Sequence, residues 1–146
     1  MRRKSAETRQ RIIDAAYTLF YRCGFINTGV DAVANAAGIT KRTLYQHFGS
    51  KDELIEVVLS HQHQMALERI RQWADCITGQ PDQMVMTLFK KLATWAGETD
   101  WQGSGFTRAA VEFSDLPGHP ARKAARRQKE EVERYLVQKF AAQDLD

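Results

Sequence analysis

Apolar residues recur along the chain at three- and four-residue spacing, the period of an α-helix, and no segment shows the two-residue alternation of a half-buried strand. Ile12, Ile13, Ala16, Leu19, Phe20 and Cys23 predict a helix over about residues 6–23, capped by Ser5 with Glu7 in its first turn. Gly24 ends it in the left-handed conformation, which lets Phe25 fold back onto Phe20. Val30, Val33, Ala34 and Ala37 mark a short helix over residues 28–37, with Thr28 as its N-cap and Asp31 placed against its dipole. Gly38 breaks that helix, and Thr40 caps another short one in which Leu44 and Phe48, four apart, share the inner face. Gly49 stops it. Two short helices joined by a tight turn with Gly, with the small Ala34 where they cross, form a helix-turn-helix pattern. A helical hairpin inside a core would want apolar residues at Lys41, Arg42 and Gln46, and it has none there.

Ser50 caps a long helix from Lys51 to about Ile77. At 1.5 Å per residue it is roughly 40 Å long, more than a three-helix unit needs, so it leaves the first unit and enters a second. Its apolar stripe of Leu54, Ile55, Val58, Met65, Ile70, Trp73 and Ile77 is divided by Ser60-His61-Gln62-His63-Gln64, which reads as an exposed waist between two cores. His61 and His63 are two apart, cannot chelate one metal together, and read as solvated. Thr78-Gly79-Gln80-Pro81 is a turn, after which Asp82 caps a helix through Met84, Val85, Leu88, Phe89, Leu92 and Trp95 to Gly97. Glu98-Thr99-Asp100 is a loop. Gly103-Ser104-Gly105, a flexible turn, leads into a shorter helix with Phe106, Ala109, Ala110 and Phe113. Pro120 opens the last helix, which runs to about Ala142 with Val132, Tyr135, Leu136 and Phe140 on or near one face and mixed charges on the other. The prediction is an all-α fold: a three-helix helix-turn-helix domain over residues 1–50, then a helical regulatory domain over residues 51–146.

With 146 residues, 43% of them apolar, the chain can bury one good core or a small unit leaning on a larger one. It has no apolar stretch of the roughly 18 residues a membrane span needs, and Met-Arg-Arg-Lys is no secretory signal, so a cytoplasmic protein is expected. Arg2, Arg3 and Lys4 form a mobile arm ahead of the first helix, within reach of DNA. Cys23 and Cys76 are too few for a disulfide framework and occupy helical positions where buried thiols are expected. The net charge of +3 conceals an asymmetry: residues 1–51 hold nine Lys or Arg against three Asp or Glu, giving +6, and residues 52–146 hold twelve against fifteen, giving −3. A polyanion is drawn to the helix-turn-helix end. No Ser-His-Asp order, HExxH, CxxC pair or Gly-rich phosphate loop asks for an enzyme, a metal or a cofactor.

Cys23-Gly24-Phe25, Thr28, Val30-Asp31, Val33-Ala34, Ala36-Ala37-Gly38-Ile39-Thr40-Lys41, Thr43-Leu44-Tyr45, His47-Phe48 and Ser50-Lys51-Asp52-Glu53-Leu54 resemble the N-terminal signature of TetR-type transcriptional repressors, across roughly residues 8–55. The resemblance implies a homodimer on double-stranded DNA with a palindromic operator. It also implies a small-molecule effector among the central helices, with the long fourth helix carrying the change to the recognition helices. By resemblance, Thr28, His47 and Lys51 match positions that hold the phosphate backbone, while Lys41, Arg42, Thr43 and Tyr45, on the helix that Thr40 caps, face bases. Candidate pocket residues in the second unit are Trp73, Trp95, Trp101, Phe106, Arg108 and Phe113. Gly29 departs from the Ser or Thr common in the family. The chain also ends after its seventh helix, where the family adds two more that form the dimer interface, so a truncated form is expected, with Val132, Tyr135, Leu136 and Phe140 left uncovered. The alternative is a helical small-molecule-binding protein with a non-functional helix-turn-helix. The intact recognition face and the +6 charge of residues 1–51 argue against it.

Overall fold

The computed structural model of the chain describes residues 2–76, 80–99 and 101–142, with side chains from Lys4 onward. The expectations at Ile77, Thr78-Gly79, Asp100 and the Arg2 and Arg3 side chains lie outside the described residues. Among the described residues there are α-helices and no strand: α1 (Arg2–Cys23), α2 (Val30–Ala36), α3 (Lys41–His47), α4 (Lys51–Asp75), α5 (Pro81–Ala96), α6 (Gly105–Glu112) and α7 (Pro120–Ala141). The all-α reading holds.

Local chemistry explains most of the helix ends. Gly24 sits at φ 89 and Gly38 at φ 64, conformations in which a Cβ is strained, so each turns the chain where a helix must stop. The Glu53 amide donates to Ser50 Oγ (3.0 Å) while the Glu53 carboxylate reaches back to the Gly49 amide (2.7 Å), which ties down the start of α4 from both sides. Other ends differ from expectation. α1 begins at Arg2, so the basic residues ahead of Ser5 continue the helix and are no loose arm. α5 is capped by Gln80 with Pro81 in its first turn, because the fixed φ of Pro suits that position, and Asp82 already lies inside the helix.

α1 packs on α2 and α4, α2 on α3, and α4 and α6 both on α7. The buried residues form a contiguous cluster that includes Ile12, Phe20, Leu44 and Phe48 within α1–α3 and the turn after them, Leu54, Val58 and Leu59 on α4, and Phe106, Phe113, Ala121 and Ala125 beyond. The division expected at residue 50 falls at the N-cap of α4, yet apolar contact continues across it. The middle of α4 is only in part the exposed waist expected: Ser60, His61 and Gln64 are exposed, whereas Gln62 and His63 face inward. His63 is 4% exposed and its Nε2 is hydrogen-bonded to Glu131 Oε2 of α7 at 2.8 Å, and Gln62 is half-buried against the backbone of Gly105, where a Cβ would meet its amide at 2.6 Å. Helical spacing hid this, because His63 meets a polar partner on α7 rather than water. Cys23 and Cys76 are exposed, not buried. Tyr135, Leu136 and Phe140 are half-buried against α4 and α5, so that face of α7 is not bare; exposed apolar residues lie on α5 (Met86, Phe89), on α6 (Val111) and on the outer side of α7 (Val137).

The His63–Glu131 contact ties α4 to α7 and responds to acid. Arg127 first, and His63 second, hold the Glu131 carboxyl at about 2, below its ordinary 4.5. A carboxylate whose folded value is depressed adds stability above its ordinary value and loses it as pH falls through the folded one. Replacing Glu131 by Gln should therefore lower the melting midpoint at pH 7, and the gap between parent and variant should narrow as pH falls from 4.5 toward 2. Thermal denaturation at a series of pH values checks this.

Candidate nucleic-acid interface

The recognition face is built from α3. The Thr43 amide donates to Thr40 Oγ1 (3.1 Å), so the expected N-cap is present, and the helix runs only to His47 before Phe48 turns extended. Leu44 and Phe48, 0% and 1% exposed, are its anchors, with Arg9 of α1 stacked over the Phe48 ring at 4.8 Å. With those two inward, Arg42, Tyr45 and Gln46 stand in solvent and Thr43 and His47 are half-exposed beside them. The turn before α3 is fixed from outside, because the guanidinium of Arg11 on α1 donates to the carbonyls of Ala37 and Gly38. Pattern reading did not single out Arg11. A charged residue one place before an apolar pair looks solvated, and only the fold brings it to the turn.

Besides Thr40 and Thr43, whose hydroxyls lie 2.9 Å apart, three of the residues singled out are already engaged. Lys41 Nζ pairs with Asp31 of α2 at 2.9 Å, an exposed ion pair that holds α3 against α2. Lys51 Nζ donates to the Ile26 carbonyl (3.2 Å), and partial burial lowers its pKa from the ordinary lysine value. Thr28 is a correction. Gly29, not Thr28, is the N-cap of α2, and no side chain caps it. The Thr28 hydroxyl is buried and donates to the Gly24 carbonyl at 2.6 Å, so it closes the α1–α2 connection and does not face outward to a phosphate. Arg42, Tyr45 and Gln46 make no hydrogen bond or ion pair through their side chains among the described residues and are left free for an external partner.

The second unit carries the aromatic residues. Trp73 and Trp95 meet edge to face at 6.2 Å and Trp95 and Trp101 at 5.9 Å, and Arg69 of α4 lies 4.4 Å over the Trp95 ring. Trp73, Trp95 and Phe106 line a cavity of about 140 Å³ between α4, α5, α6 and α7. Trp101 lines a separate cleft toward α1, together with Tyr17 and Tyr21. Arg108 and Phe113 belong to neither. Arg108 donates to the Tyr21 carbonyl (2.8 Å), and Phe113 is buried between Phe25 (6.0 Å) and His119 (3.9 Å, stacked), so both join α6 to the helix-turn-helix unit. Glu112 completes that joint by accepting the Ile26 amide at 2.8 Å.

Comparison with known proteins bears on the same two parts. The family described as bacterial regulatory proteins, tetR family, matches residues 12–58, which hold the whole recognition unit. A solved structure described as a TetR transcriptional regulator of Streptomyces avermitilis superimposes with a TM-score of 0.78 and 31% identity over 90% of this chain and 70% of its own. The chain belongs to the TetR family. A second TetR-family regulator, from Streptomyces coelicolor, aligns with 26% identity and a TM-score of 0.76 over 86% of this chain and 65% of its own. SrpR and TtgW of Pseudomonas putida, both named HTH-type transcriptional regulators, are each 44% identical over 73 residues, 47% of this chain. That stretch is 34% of SrpR and 54% of TtgW, so the chain matches about half or less of the length of these curated relatives.

Recognition depends on the anchors beneath it. Leu44→Ala should cost about 2–5 kcal/mol by removing buried methyl groups and leaving a cavity. The melting midpoint checks this: it should fall, and DNA binding should fail with it as α3 loses its seat.

Proposed function

We propose that the chain is a DNA-binding transcriptional regulator that represses by occupying an operator and leaves it when a small molecule enters the cavity among α4–α7. The observation that carries the reading is the free outer face of α3. Arg42, Tyr45 and Gln46 are exposed and uncommitted over the buried Leu44 and Phe48, on the segment that carries +6. The names of SrpR and TtgW support the same reading.

In this proposal residues 1–50 form the DNA-reading domain and residues 51–146 the regulatory one. Arg42, Thr43 and Tyr45 meet base edges, His47 and Lys51 meet phosphates, and Lys41 does so only by giving up or sharing Asp31. One copy carries one α3, and entering successive major grooves on one face of a duplex takes two, about 34–36 Å apart, so the working form is a homodimer on a palindromic site. Trp73, Trp95 and Phe106 belong to the effector cavity. Release follows if the effector binds more tightly to the state whose α3 helices are wrongly spaced for DNA.

Selection of bound sequences from random duplex DNA tests the class, and a palindromic motif is the expected result. On the selected site, Arg42→Ala should lose about 1–3 kcal/mol at particular base pairs while leaving the others unchanged. Loss by one common factor on every sequence would remove Arg42 from base reading.

A further inference from the structure

The effector cavity has one charged residue in its wall. Around its apolar side chains the polar lining is neutral, apart from Arg69 of α4. No carboxylate in the described residues pairs with that guanidinium; it stacks over the face of Trp95 at 4.4 Å and lies close enough to Tyr17 to act on its phenol. The guanidinium is half-buried and open to solvent on the cleft side, so its donors are available to an incoming acceptor. Stacking on the indole holds its planar fork in place, so little freedom is lost when an acceptor arrives.

The neighbouring cleft, about 260 Å³, shares Arg69 and Trp95 with the cavity and extends to Tyr17 and Tyr21 on α1. There the indole nitrogen of Trp101 is also buried without an acceptor. A solvated guanidinium on one side of the Arg69–Trp95 partition and a buried indole N–H on the other are therefore both available to an external acceptor. Glu98 lines the outer cleft and makes no ion pair with Arg69. What is missing is an acceptor-bearing, negatively charged group with a flat apolar body.

We infer that the effector is a small aromatic monocarboxylic acid, with its ring in the cavity beside Trp73 and Phe106 and its carboxylate on Arg69. This rests on the proposed reading of the cavity as the effector site. The size agrees, because the cavity holds about 140 Å³ and a void of roughly 150 Å³ accepts one benzene ring. The charge agrees too, since a carboxylate and a guanidinium form two parallel charge-assisted hydrogen bonds. A ligand on Arg69 also adjoins Tyr17 of α1, the helix that carries Arg9 and Arg11 to the recognition unit.

Calorimetric titration of the full chain with benzoate and with benzamide, its neutral isostere, tests this. Benzoate should bind saturably and more tightly than benzamide. Arg69→Gln should weaken benzoate by roughly tenfold to a hundredfold, the cost of losing a charge-assisted pair, and leave benzamide unchanged. Arg69→Lys should restore part of the loss, and Trp73→Leu should weaken both ligands. Melting curves confirm that each variant is folded. Equal binding of acid and amide, or an Arg69→Gln variant that keeps the acid's affinity, overturns the acid class while leaving the cavity reading in place. Acid binding that needs Arg69 but ignores Trp73→Leu puts the ligand outside the cavity and overturns the proposal. Absence of binding by either compound overturns it as well.

Discussion

The joint between the helix-turn-helix unit and the helices behind it depends on a stack of aromatic rings. Phe20 of α1 meets Phe25 at 5.2 Å, Phe25 meets Phe113 at 6.0 Å, and Phe113 lies flat on His119 at 3.9 Å. His119 in turn accepts the Ala121 amide at the start of α7 and reaches Asp52 of α4 at 3.3 Å. One continuous contact thus runs from the helix beneath the DNA-reading unit to the starts of α4 and α7. Rings at these separations attract beyond the area they bury, and being rigid they transmit displacement instead of absorbing it. Short helices such as α2 and α3, seven residues each, have little stability of their own. They are held by what they sit on.

Around that stack, polar groups fix orientation. Arg108 donates to carbonyls at the end of α1, Glu112 accepts the Ile26 amide, and Lys51 donates to the Ile26 carbonyl. Each of these meets backbone on the DNA-reading side, where the chain leaves α1 and its carbonyls and amides have run out of helical partners. α4 and α6 supply what α1 and its following turn cannot satisfy internally. A shift of α6 is therefore felt first at residues 20–26, next to the turn that Thr28 closes inward.

Much of this was legible in the chain, for a physical reason. Gly24, Gly38, Thr40 and Ser50 act through their immediate neighbours, so turns and caps at these positions follow from local sequence, as do Leu44 and Phe48 from helical period. What escaped is what depends on distant partners. His63 looked solvated because Glu131 is 68 residues away, and Arg69 drew no notice because the absence of a partner cannot be seen in one dimension. Arg108 and Phe113 passed for pocket residues on composition alone, since an aromatic or a basic residue on a short helix looks the same at a joint as in a cavity. Thr28 was misread because a hydroxyl before a helix usually caps it, whereas here the turn bends it back to Gly24.

Gly24 carries a consequence for how freely this head could be moved to another body. It has a left-handed backbone, and the Glu112 carboxylate occupies the space a Cβ would take, 2.5 Å away. The close approach is shared property: Gly24 makes the room, and α6 fills it. Transplanting residues 1–50 onto a different regulatory unit would carry over the reading face intact but only half of its joint. The recipient would need an acid at the place of Glu112, a long cation at that of Arg108 and a ring at that of Phe113. Without them the head would remain tethered by α4 alone and free to swivel, able to touch DNA yet deaf to its new partner.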